Sequence, residues 1–408
     1  MLEHEIFYSE TKETALDYSD KTLKVKEYDE SSGYGIRVIK NNKIGFAYCQ
    51  SRDGIKNAIE RAAIISRHSM KSKFSFQRKK KYPRVKTVDK KIENMSEEDL
   101  KDIIYGMKSG MEKYTKKCRI SGSYFSEGLI LENTEGLDAG YRKTGMELYA
   151  EAMKGKGFGY SYYAGISPNK NPEELGRIAG KMARDMENPS KPKSGKYNIV
   201  FSAPAFGSIF GILTPSFSGD LKRRKITKLV KNKKMLDSKL TIYDNPTTGQ
   251  SATSPFDDEG TPSKKTPLIE NGVIKEFFYD REIAALDKTK KDGFCTRTDF
   301  STPPGISHSN IIVKPGSYGN FNEEIDEYLF VESLFGTHTS NFTTGDFGVE
   351  VNVAFHIKKG KKTPVRGFMI SDNVFNLFNR IIGIERKAID YDYLSYPRIA
   401  FGETRVMS

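Results

Sequence analysis

The stretch Asp257–Asp280, DDEGTPSKKTPLIENGVIKEFFYD, sets the organisation of this 408-residue chain. It opens with three consecutive carboxylates and a Gly-Thr-Pro break, and continues with two apolar runs, Thr266–Glu270 and Val273–Tyr279, separated by Asn271-Gly272. An Asn-Gly pair between two β-prone runs is typical of a hairpin with a type I′ turn, because both central residues of that turn need a positive φ. The sequence therefore predicts an acidic loop that leads into a β-hairpin.

The length and charge of the chain limit the number of domains and the kinds of binding partner to be considered. A chain of 408 residues is too long for one hydrophobic core and predicts two or three domains. Its 66 basic and 53 acidic residues give a net charge of +13, which raises the question of a nucleic-acid partner. Both signs are spread along the chain, and this favours a highly charged surface over a dedicated basic face. Nucleic acid is therefore the less favoured partner.

Cysteine content and hydropathy indicate the cellular compartment of the protein. The three cysteines (Cys49, Cys118 and Cys295) are far apart and have no Cys-x-x-Cys spacing, which argues against a disulfide framework or a cysteine-rich zinc site. The N-terminus lacks the apolar core of a signal peptide, and no run approaches the roughly 20 apolar residues of a membrane helix. We expect a cytoplasmic protein without membrane contact.

Local signals place further elements along the chain. Residues 33–40 and 44–48 flank an Asn-rich turn and predict a second hairpin, followed by a helix from Gly54 to about His68 with Asp53 as its N-cap. Helices are predicted after Ser96, from Pro172 to near Met186, and from Pro204 through Leu213. A last helix is predicted over residues 374–382. The first 30 residues fit either a helix or a strand.

The segment 71–91, KSKFSFQRKKKYPRVKTVDKK, is the most basic part of the chain. Phe74, Phe76 and Tyr82 alternate with cations, as in segments whose aromatic rings stack on single-stranded nucleic acid. A solvated, mobile loop is the simpler interpretation and the one we favour. Residues 187–196, ENPSKPKSGK, are polar and contain two prolines, which is the clearest domain boundary in the sequence.

These stretches together resemble the TldD/PmbA (TldD/TldE) family, which comprises cytoplasmic zinc metallopeptidases and their non-catalytic partner subunits. The resemblance rests on Asp257–Asp280, on the loop Gly336–Phe347 (GTHTSNFTTGDF) and on the hairpin of residues 33–48. It implies an α+β fold. We predict an N-terminal hairpin-plus-helix domain over residues 1–188, a linker over 189–196, and a strand-rich TldD/PmbA-type domain over 197–408.

The same resemblance bears on catalysis. Peptidase members carry His-Glu-x-x-x-His shortly before a Gly-Asp pair, so that two imidazoles bind zinc and a carboxylate activates water. Counting back from Gly219-Asp220, the corresponding window is Phe210–Pro215, which contains no histidine and has Gly211 at the glutamate position. The window, followed by Phe-Ser-Gly-Asp and basic residues, resembles the PmbA/TldE branch. We therefore predict no metal or other cofactor in this chain and no catalytic residues of its own.

The preferred function that follows is a silent TldE/PmbA-like subunit. It would pair with a zinc-bearing TldD-like subunit, or form a homodimer in its absence, and help to degrade unfolded peptides. The candidate peptide-binding or interface residues all lie in the two matching loops: Asp257, Asp258, Glu259, Gly260, Asn341, Gly345 and Asp346. A purely structural role in turns is the competing interpretation of these residues.

Two other functions stay open at this level. The chain could be an enzyme in its own right whose metal ligands are assembled from distant histidines, so the sequence alone does not decide whether it is active. It could also be a DNA-associated protein, in keeping with the family's older label as a modulator of DNA gyrase and with the cations Lys79, Lys80 and Lys81.

Overall fold

A computed structural model describes residues 2–19 and 22–408 of the chain. Six antiparallel strands form a first sheet, in the order β3-β2-β1-β4-β5-β6. Its strands are β1 (Glu3–Ser19), β2 (Thr22–Lys40), β3 (Lys43–Cys49), β4 (Lys117–Asn133), β5 (Asp138–Lys154) and β6 (Gly157–Gly165). Within the first 30 residues, 3–19 and 22–30 are strand rather than helix. Positions 1, 20 and 21 of the predicted N-terminal domain lie outside the described residues.

Helices cover one face of this first sheet. Ala58 and Ala62 of helix α1 pack on Ile36 and Val38 of β2, and a second apolar cluster joins helices α3 and α4 to strands β1, β4 and β5. The helices of the chain are α1 (Ile55–Ile65), α2 (Lys90–Glu93), α3 (Glu97–Glu112), α4 (Pro172–Asp185), α5 (Ala203–Leu213), α6 (Gly219–Arg223), α7 (Arg281–Leu286), α8 (Phe321–Glu324) and α9 (Val374–Leu377). Phe7 of β1 points to the opposite face because side chains alternate along a strand.

Helices begin at or beside the predicted positions in most cases: α3 after Ser96, α4 at Pro172 and α5 one residue before Pro204. Ser96 and Asp99 form a capping box at α3, Asn171 caps α4 ahead of Pro172, and Ser202 caps α5. Asp53 is not the cap of α1, because a short 3₁₀ turn over Arg52–Gly54 precedes the helix. Aspartate favours turns as well as N-caps, because its side chain can hydrogen-bond to nearby backbone groups.

The larger sheet has eleven strands, in the order β10-β9-β8-β13-β19-β17-β15-β14-β7, with β16 on β15 and β18 on β19. Additional pairing of β19 with β7 closes β7, β14, β15, β17 and β19 into a ring. The strands are β7 (Gly195–Phe201), β8 (Ile242–Asp244), β9 (Thr266–Glu270), β10 (Val273–Ile274), β13 (Ile311–Val313), β14 (Glu327–Phe335), β15 (Asp346–Lys358), β16 (Lys361–Val365), β17 (Phe368–Asn373), β18 (Ile381–Tyr391) and β19 (Leu394–Met407); β11 (Cys295–Thr296) and β12 (Gly305–Ile306) pair separately.

Both predicted hairpins are present. Asn41 and Asn42 have φ of 54° and 59° between β2 and β3, and Asn271 and Gly272 have φ of 49° and 76° between β9 and β10. The predicted helix over residues 374–382 is wrong beyond α9, because Ile381 begins the long strand β18. The β-branched pair Ile381-Ile382 suits a strand better than a helix, and pairing with β19 decides the outcome.

We call residues 2–19 and 22–186, which contain the first sheet, the N-terminal half, and residues 195–408, which contain the larger sheet, the C-terminal half. They are in contact over a wide junction. Phe256 and Phe300 of the C-terminal half pack with Phe7, Leu129 and Leu131 on the helix-free face of the first sheet. The fold is α+β, with strand-rich sheets in both halves.

Candidate functional site

The acidic loop predicted as part of the site lies in the junction between the two halves. Glu259 is 1 % exposed; its Oε1 accepts a hydrogen bond from Arg37 Nη1 of β2 at 2.5 Å, and its Oε2 accepts one from the backbone N–H of Arg281 at 2.7 Å. Asp258 Oδ2 accepts a hydrogen bond from the backbone N–H of Arg297 at 2.6 Å. Residues far apart in sequence therefore converge on this loop.

Asp257 and Gly260 give the loop its shape. Asp257 Oδ1 accepts hydrogen bonds from the backbone N–H groups of Glu259 at 3.1 Å and of Thr261 at 2.8 Å. Gly260 has φ of +79°, and a Cβ at this position would lie 2.7 Å from Leu137 Cδ2 of the N-terminal half. A left-handed backbone that leaves no room for a side chain requires glycine.

A second arginine completes a buried group of charges. Glu5 Oε1 of β1 accepts hydrogen bonds from Arg37 Nε at 2.8 Å and from Arg297 Nη2 at 2.7 Å. The side chains of Glu5, Arg37, Glu259 and Arg297 are each at most 4 % exposed, and we call these four residues the ion cluster. Loss of one member would leave an uncompensated buried charge, so the cluster holds the halves in one arrangement.

Burial changes the protonation of the acidic loop. It raises the pKa of Asp258 to about 6, partly offset by the Arg297 charge. It also raises the pKa of Asp280 to about 7, with a further increase from Glu259, and raises the pKa of Asp257 for the same two reasons. A carboxyl that is protonated beside the ion cluster adds no further negative charge to its two glutamates and two arginines, whose charges balance.

The basic segment runs across this junction, and we call residues 71–89 the strap. Phe74 and Phe76 are buried, and the Arg37 guanidinium lies 5.2 and 5.6 Å from the centres of their rings. Tyr82 Oη donates a hydrogen bond to the Gly260 carbonyl at 3.2 Å, and Arg281 Nη2 donates one to the carbonyl of residue 75 at 3.0 Å. The solvated-loop prediction therefore holds for the exposed cations of the strap but is wrong for its aromatic rings.

The second predicted set lies elsewhere, in the connection between β14 and β15. Asn341 Oδ1 accepts hydrogen bonds from the backbone N–H groups of Thr343 and Thr344 at 3.1 and 3.0 Å. Gly345 has φ of +83°, and Asp346 Oδ1 accepts a hydrogen bond from Asn373 Nδ2 at 2.8 Å. Asn341 and Asp346 are exposed, so this turn is available to another molecule, whereas the acidic loop is enclosed in the junction.

A cleft between the halves provides an open site that the sequence did not indicate. Strands β5 and β6 form one wall and helix α5 forms the other, while the turn from β18 to β19 projects between them. We define the cleft by its lining residues, which enclose a cavity of about 510 Å³: Tyr149, Tyr160, Tyr162, Ala203, Pro204, Gly207, Ser208, Tyr391, Asp392, Tyr393 and Leu394. A smaller cavity, of about 280 Å³, adjoins it at Asp392 and Tyr393.

Tyrosines dominate the surface of the cleft. The rings of Tyr162 and Tyr391 lie 5.5 Å apart, and Tyr160 Oη donates a hydrogen bond to the carbonyl of Glu332 at 2.7 Å, tying β6 to β14. Strand β6 is an edge strand of the first sheet. Unpaired backbone groups at a sheet edge can pair with a further extended chain.

Carboxyl groups gather at the tip of the projecting turn. Asp392 has φ of 53° and accepts a hydrogen bond from the Ser251 hydroxyl. Burial and the neighbouring Asp392 raise the pKa of Glu147 on β5. Behind them, burial raises the pKa of Asp244 to about 7, although this carboxyl accepts hydrogen bonds from the backbone N–H and the hydroxyl of Ser309.

The window Phe210–Pro215 lies at the end of helix α5. Phe210 is 2 % exposed and its ring stacks on Phe206, with the two ring centres 5.9 Å apart. Gly211 is exposed, and Pro215 belongs to a 3₁₀ turn over Thr214–Phe217 that ends the helix as predicted. The helix contributes a smooth glycine- and serine-bearing surface to the cleft.

Two sequence matches decide the family. Residues 194–408 match the PmbA/TldA metallopeptidase C-terminal domain, and residues 4–66 match the PmbA/TldA metallopeptidase domain 1. The chain belongs to the PmbA/TldD family. An uncharacterized protein of Methanocaldococcus jannaschii is 29 % identical over 388 residues, which cover 93 % of this chain and 91 % of that protein.

Other PmbA/TldD relatives carry names that mention zinc and TldE. A zinc metalloprotease TldD homolog of Saccharolobus solfataricus is 30 % identical over 202 residues, which cover 47 % of this chain and 44 % of the relative. The crystal structure of TldE from Thermococcus kodakarensis has a TM-score of 0.89 and 24 % identity, and the match covers 100 % of this chain and 97 % of that one. At this identity, the structural likeness shows the shared fold.

The zinc associated with PmbA/TldD relatives does not fit the residues of this window. A buried phenyl ring, an exposed glycine and a proline supply no nitrogen, oxygen or sulfur side-chain ligand at positions 210, 211 and 215. Across residues 2–19 and 22–408, no group of three or more His, Cys, Asp or Glu side chains is arranged to hold a metal ion.

The cleft residues were missed because their signal is tertiary. Tyr391-Asp392-Tyr393 follows a stretch predicted as helix, and Tyr160 and Tyr162 lie in a Gly/Tyr-rich strand that predicts only a sheet. The one usable signal was the recurrence of tyrosine in both segments, since clustered tyrosine is common on binding surfaces.

Proposed function

We propose that this chain is a catalytically silent TldE/PmbA-like subunit. It pairs with a zinc-bearing TldD-like subunit to form a cytoplasmic peptidase for unfolded peptides, and its own cleft holds part of the extended substrate. Zinc belongs to the partner in this proposal. A homodimer is the assembly expected when the partner is absent.

The observation that carries the proposal is the composition of helix α5. Phe210 occupies the position of the first zinc-binding histidine of the peptidase members and is directed into the hydrophobic core, where it packs with Phe206 and Phe378. A histidine at position 210 would either place its imidazole in the hydrophobic core or turn it out of the core and leave a cavity. The helix is therefore built for stability and for shaping the cleft.

The cleft suits an extended peptide for two reasons. Edge strand β6 offers backbone donors and acceptors, which recognise a peptide irrespective of its sequence. Tyrosine rings provide rigid contact area with a hydroxyl at the tip, and they lose little conformational entropy on binding. Both features favour broad peptide binding over recognition of one sequence.

The predicted site residues divide into two roles in this proposal. Asp257, Asp258, Glu259 and Gly260 fix the relative position of the halves and thereby the width of the cleft. Asn341, Gly345 and Asp346 belong to one turn of the C-terminal half, in which Asn341 and Asp346 are exposed and Gly345 is buried. This turn is the candidate contact with the partner subunit or the peptide.

The alternatives receive less support from the described residues. For the DNA-associated alternative, stacking on single-stranded nucleic acid would need accessible rings in the strap, and Phe74 and Phe76 are buried against Arg37. Its remaining support is the net charge and the cations Lys79, Lys80 and Lys81. A stand-alone metallopeptidase needs clustered ligands, which are not found in the part of the chain that the structure describes. None of the described helices is long and apolar enough to cross a membrane.

The test of the cleft is a substitution that fills it. Gly207 lies on the cleft side of α5, where a Cβ would meet atoms no closer than 3.8 Å, so Gly207→Phe can be accommodated while its ring occupies the cleft. Loss of binding of an unfolded peptide with an unchanged melting temperature supports the proposal. Unchanged peptide binding contradicts it. Gly305→Phe, on an exposed β12 glycine with no atom within 4 Å of its Cβ, is the matched control.

A further inference from the structure

A second cavity, of about 560 Å³, opens from the cleft beside Tyr160, Tyr162 and Tyr391. Its floor is formed by strands β14, β18 and β19 of the C-terminal half, and its roof by helix α4 of the N-terminal half. A volume of this size is within the range of small-ligand pockets in proteins. We call it the side pocket.

A β-bulge directs one carboxylate toward the side pocket. The pairing of β18 with β19 passes from Ile384↔Ile399 to Ala388↔Pro397, so three residues on β18 lie opposite Arg398 alone. Glu385 is in this bulge and is 4 % exposed. Bulges of this kind re-aim side chains and are frequent beside functional sites.

One oxygen of Glu385 lacks a partner. Its Oε2 accepts a hydrogen bond from Arg398 Nε at 2.8 Å, whereas its Oε1 is buried and has no hydrogen-bond donor within reach. A buried carboxylate oxygen without a donor is unfavourable, because it has lost its hydration and gained no hydrogen bond in return. A ligand that brings a donor into the side pocket would relieve this cost.

A second carboxylate lines the same pocket. Glu332 of β14 faces it beside Ser202, and burial raises the pKa of Glu332. The surrounding walls are apolar and include Ile178 of α4, Phe330 and Ile389. The pocket thus combines acceptors at its base with apolar sides.

We propose that the side pocket binds a basic side chain of the peptide held in the cleft, with the alkyl stem against the apolar walls and the cationic head at Glu332 and Glu385. This inference rests on the proposed function and adds a preference for lysine or arginine at one peptide position. Lysine and arginine commonly bury an apolar stem while the charged head meets a polar partner.

The cationic side chains that line the side pocket do not occupy the place proposed for the basic side chain of the peptide. Arg398 is committed to Glu385 Oε2 and lies 5.9 Å from the centre of the Phe330 ring. Lys387 is exposed at the rim, so its ammonium group stays hydrated when a ligand enters. The acceptor left unused is therefore a carboxylate oxygen at the base of the pocket.

The test uses the full chain and short unfolded peptides with both ends blocked, one carrying lysine and the other norleucine at a single position. We expect about tenfold tighter binding of the lysine peptide, which corresponds to about 1.4 kcal/mol, because its ammonium group donates hydrogen bonds to the carboxylates and norleucine has no donor. Glu332→Gln should reduce this preference to near unity. Glu350→Gln, on an exposed glutamate of β15, should leave it unchanged.

Three outcomes are distinguishable. Equal binding of both blocked peptides, or a lysine preference that survives in both Glu332→Gln and Glu385→Gln, overturns the basic-pocket inference while leaving the cleft proposal intact. Failure of every peptide to bind overturns the proposed function itself. A third norleucine peptide with a free N-terminus separates the sources of the ammonium group: tight binding of that peptide assigns the pocket to the peptide N-terminus and overturns the side-chain assignment.

Discussion

Arg37 of β2 and Glu259 of the acidic loop are joined by a 2.5 Å hydrogen bond across 222 residues of sequence. The bond connects the first sheet to the stretch that most resembles the family. Glu5 and Arg297 extend it into the buried ion cluster, and the strap covers it through Phe74 and Phe76. The family-like acidic loop thus holds the two halves together, and the cleft lies between them.

Replacement of Arg37 by methionine should lower the free energy of unfolding by about 3–5 kcal/mol, because Glu5 and Glu259 would lose their buried counter-charge. Arg78→Gln is the control, since Arg78 pairs with Glu135 while its own side chain is 77 % exposed. An exposed pair of this kind contributes about 0–1 kcal/mol. Urea unfolding of both variants measures the difference, and equal losses would contradict the role given to the ion cluster.

Gly260→Ala should destabilise the protein by about 2 kcal/mol or more, through the left-handed φ and through the collision with Leu137. Gly249→Ala separates the two effects. Gly249 has φ of +86° but no atom within 4 Å of its Cβ, so this variant should lose only about 1 kcal/mol. If the two variants unfold at the same urea concentration, the close approach of the halves at Gly260 is not as described.

The stability of the protein should depend on the aromatic residues of the strap and not on its lysines. Phe76→Ala removes a ring that is 2 % exposed and should lower stability by about 3–5 kcal/mol. Lys79→Gln, three residues further on at an exposed position, should change it by less than about 0.5 kcal/mol. Thermal unfolding of the two variants tests this contrast, and a neutral Phe76→Ala would restore the mobile-loop interpretation.

Asp244 should make stability fall as the pH rises. Burial raises its folded-state pKa from 3.8 to about 7, so the carboxyl binds a proton more tightly in the folded state. Its contribution is complete below the unfolded pKa and is lost as the pH passes through 7, which corresponds to about 2 kcal/mol between pH 5 and pH 8. Asp244→Asn should remove this part of the pH dependence, because an amide can keep both hydrogen bonds to Ser309.

The urea midpoint at pH 5 and at pH 8 provides the measurement for Asp244. Asp346→Asn is the control: the pKa of this exposed carboxyl lies below its usual value because Asn373 donates to it, so it is ionised at both pH values. Its removal should shift both midpoints equally. An Asp244→Asn protein whose stability declines with pH as steeply as the original would show that Asp244 is not protonated in the folded state.

Local signals were sufficient for the hairpins and most helices of the fold. The positive φ at Asn41, Asn42 and Asn271 and the start of α3 after Ser96 depend only on neighbouring residues, so the sequence predicts them. The last predicted helix ran five residues beyond α9, into the first two residues of β18, because apolar spacing is ambiguous over so few residues. Pairing with β19 settles the choice there.

The site was harder to predict than the fold. The sequence named Asp257–Gly260 as candidate site residues but did not predict their enclosure. Arg37, which donates to Glu259, lies 222 residues away, and Arg297 reaches Asp258 from a separate segment. The residues Tyr391–Tyr393 line the cleft only because β6 and α5 lie close to them in the folded chain. Junction and cleft both arise from packing of the halves, which a single sequence does not encode in local patterns.

The most direct test of the silent-subunit account is zinc content and peptide cleavage by the purified chain, alone and mixed with a His-Glu-x-x-x-His paralogue of the same organism. The account predicts a chain without bound zinc and without activity alone, and cleavage in the mixture that exceeds that of the paralogue by itself. Replacing the motif glutamate of the paralogue by glutamine should abolish cleavage by the mixture. Stoichiometric zinc and cleavage by this chain alone would contradict the account, and would direct the search for ligands to His308, His338 and His356.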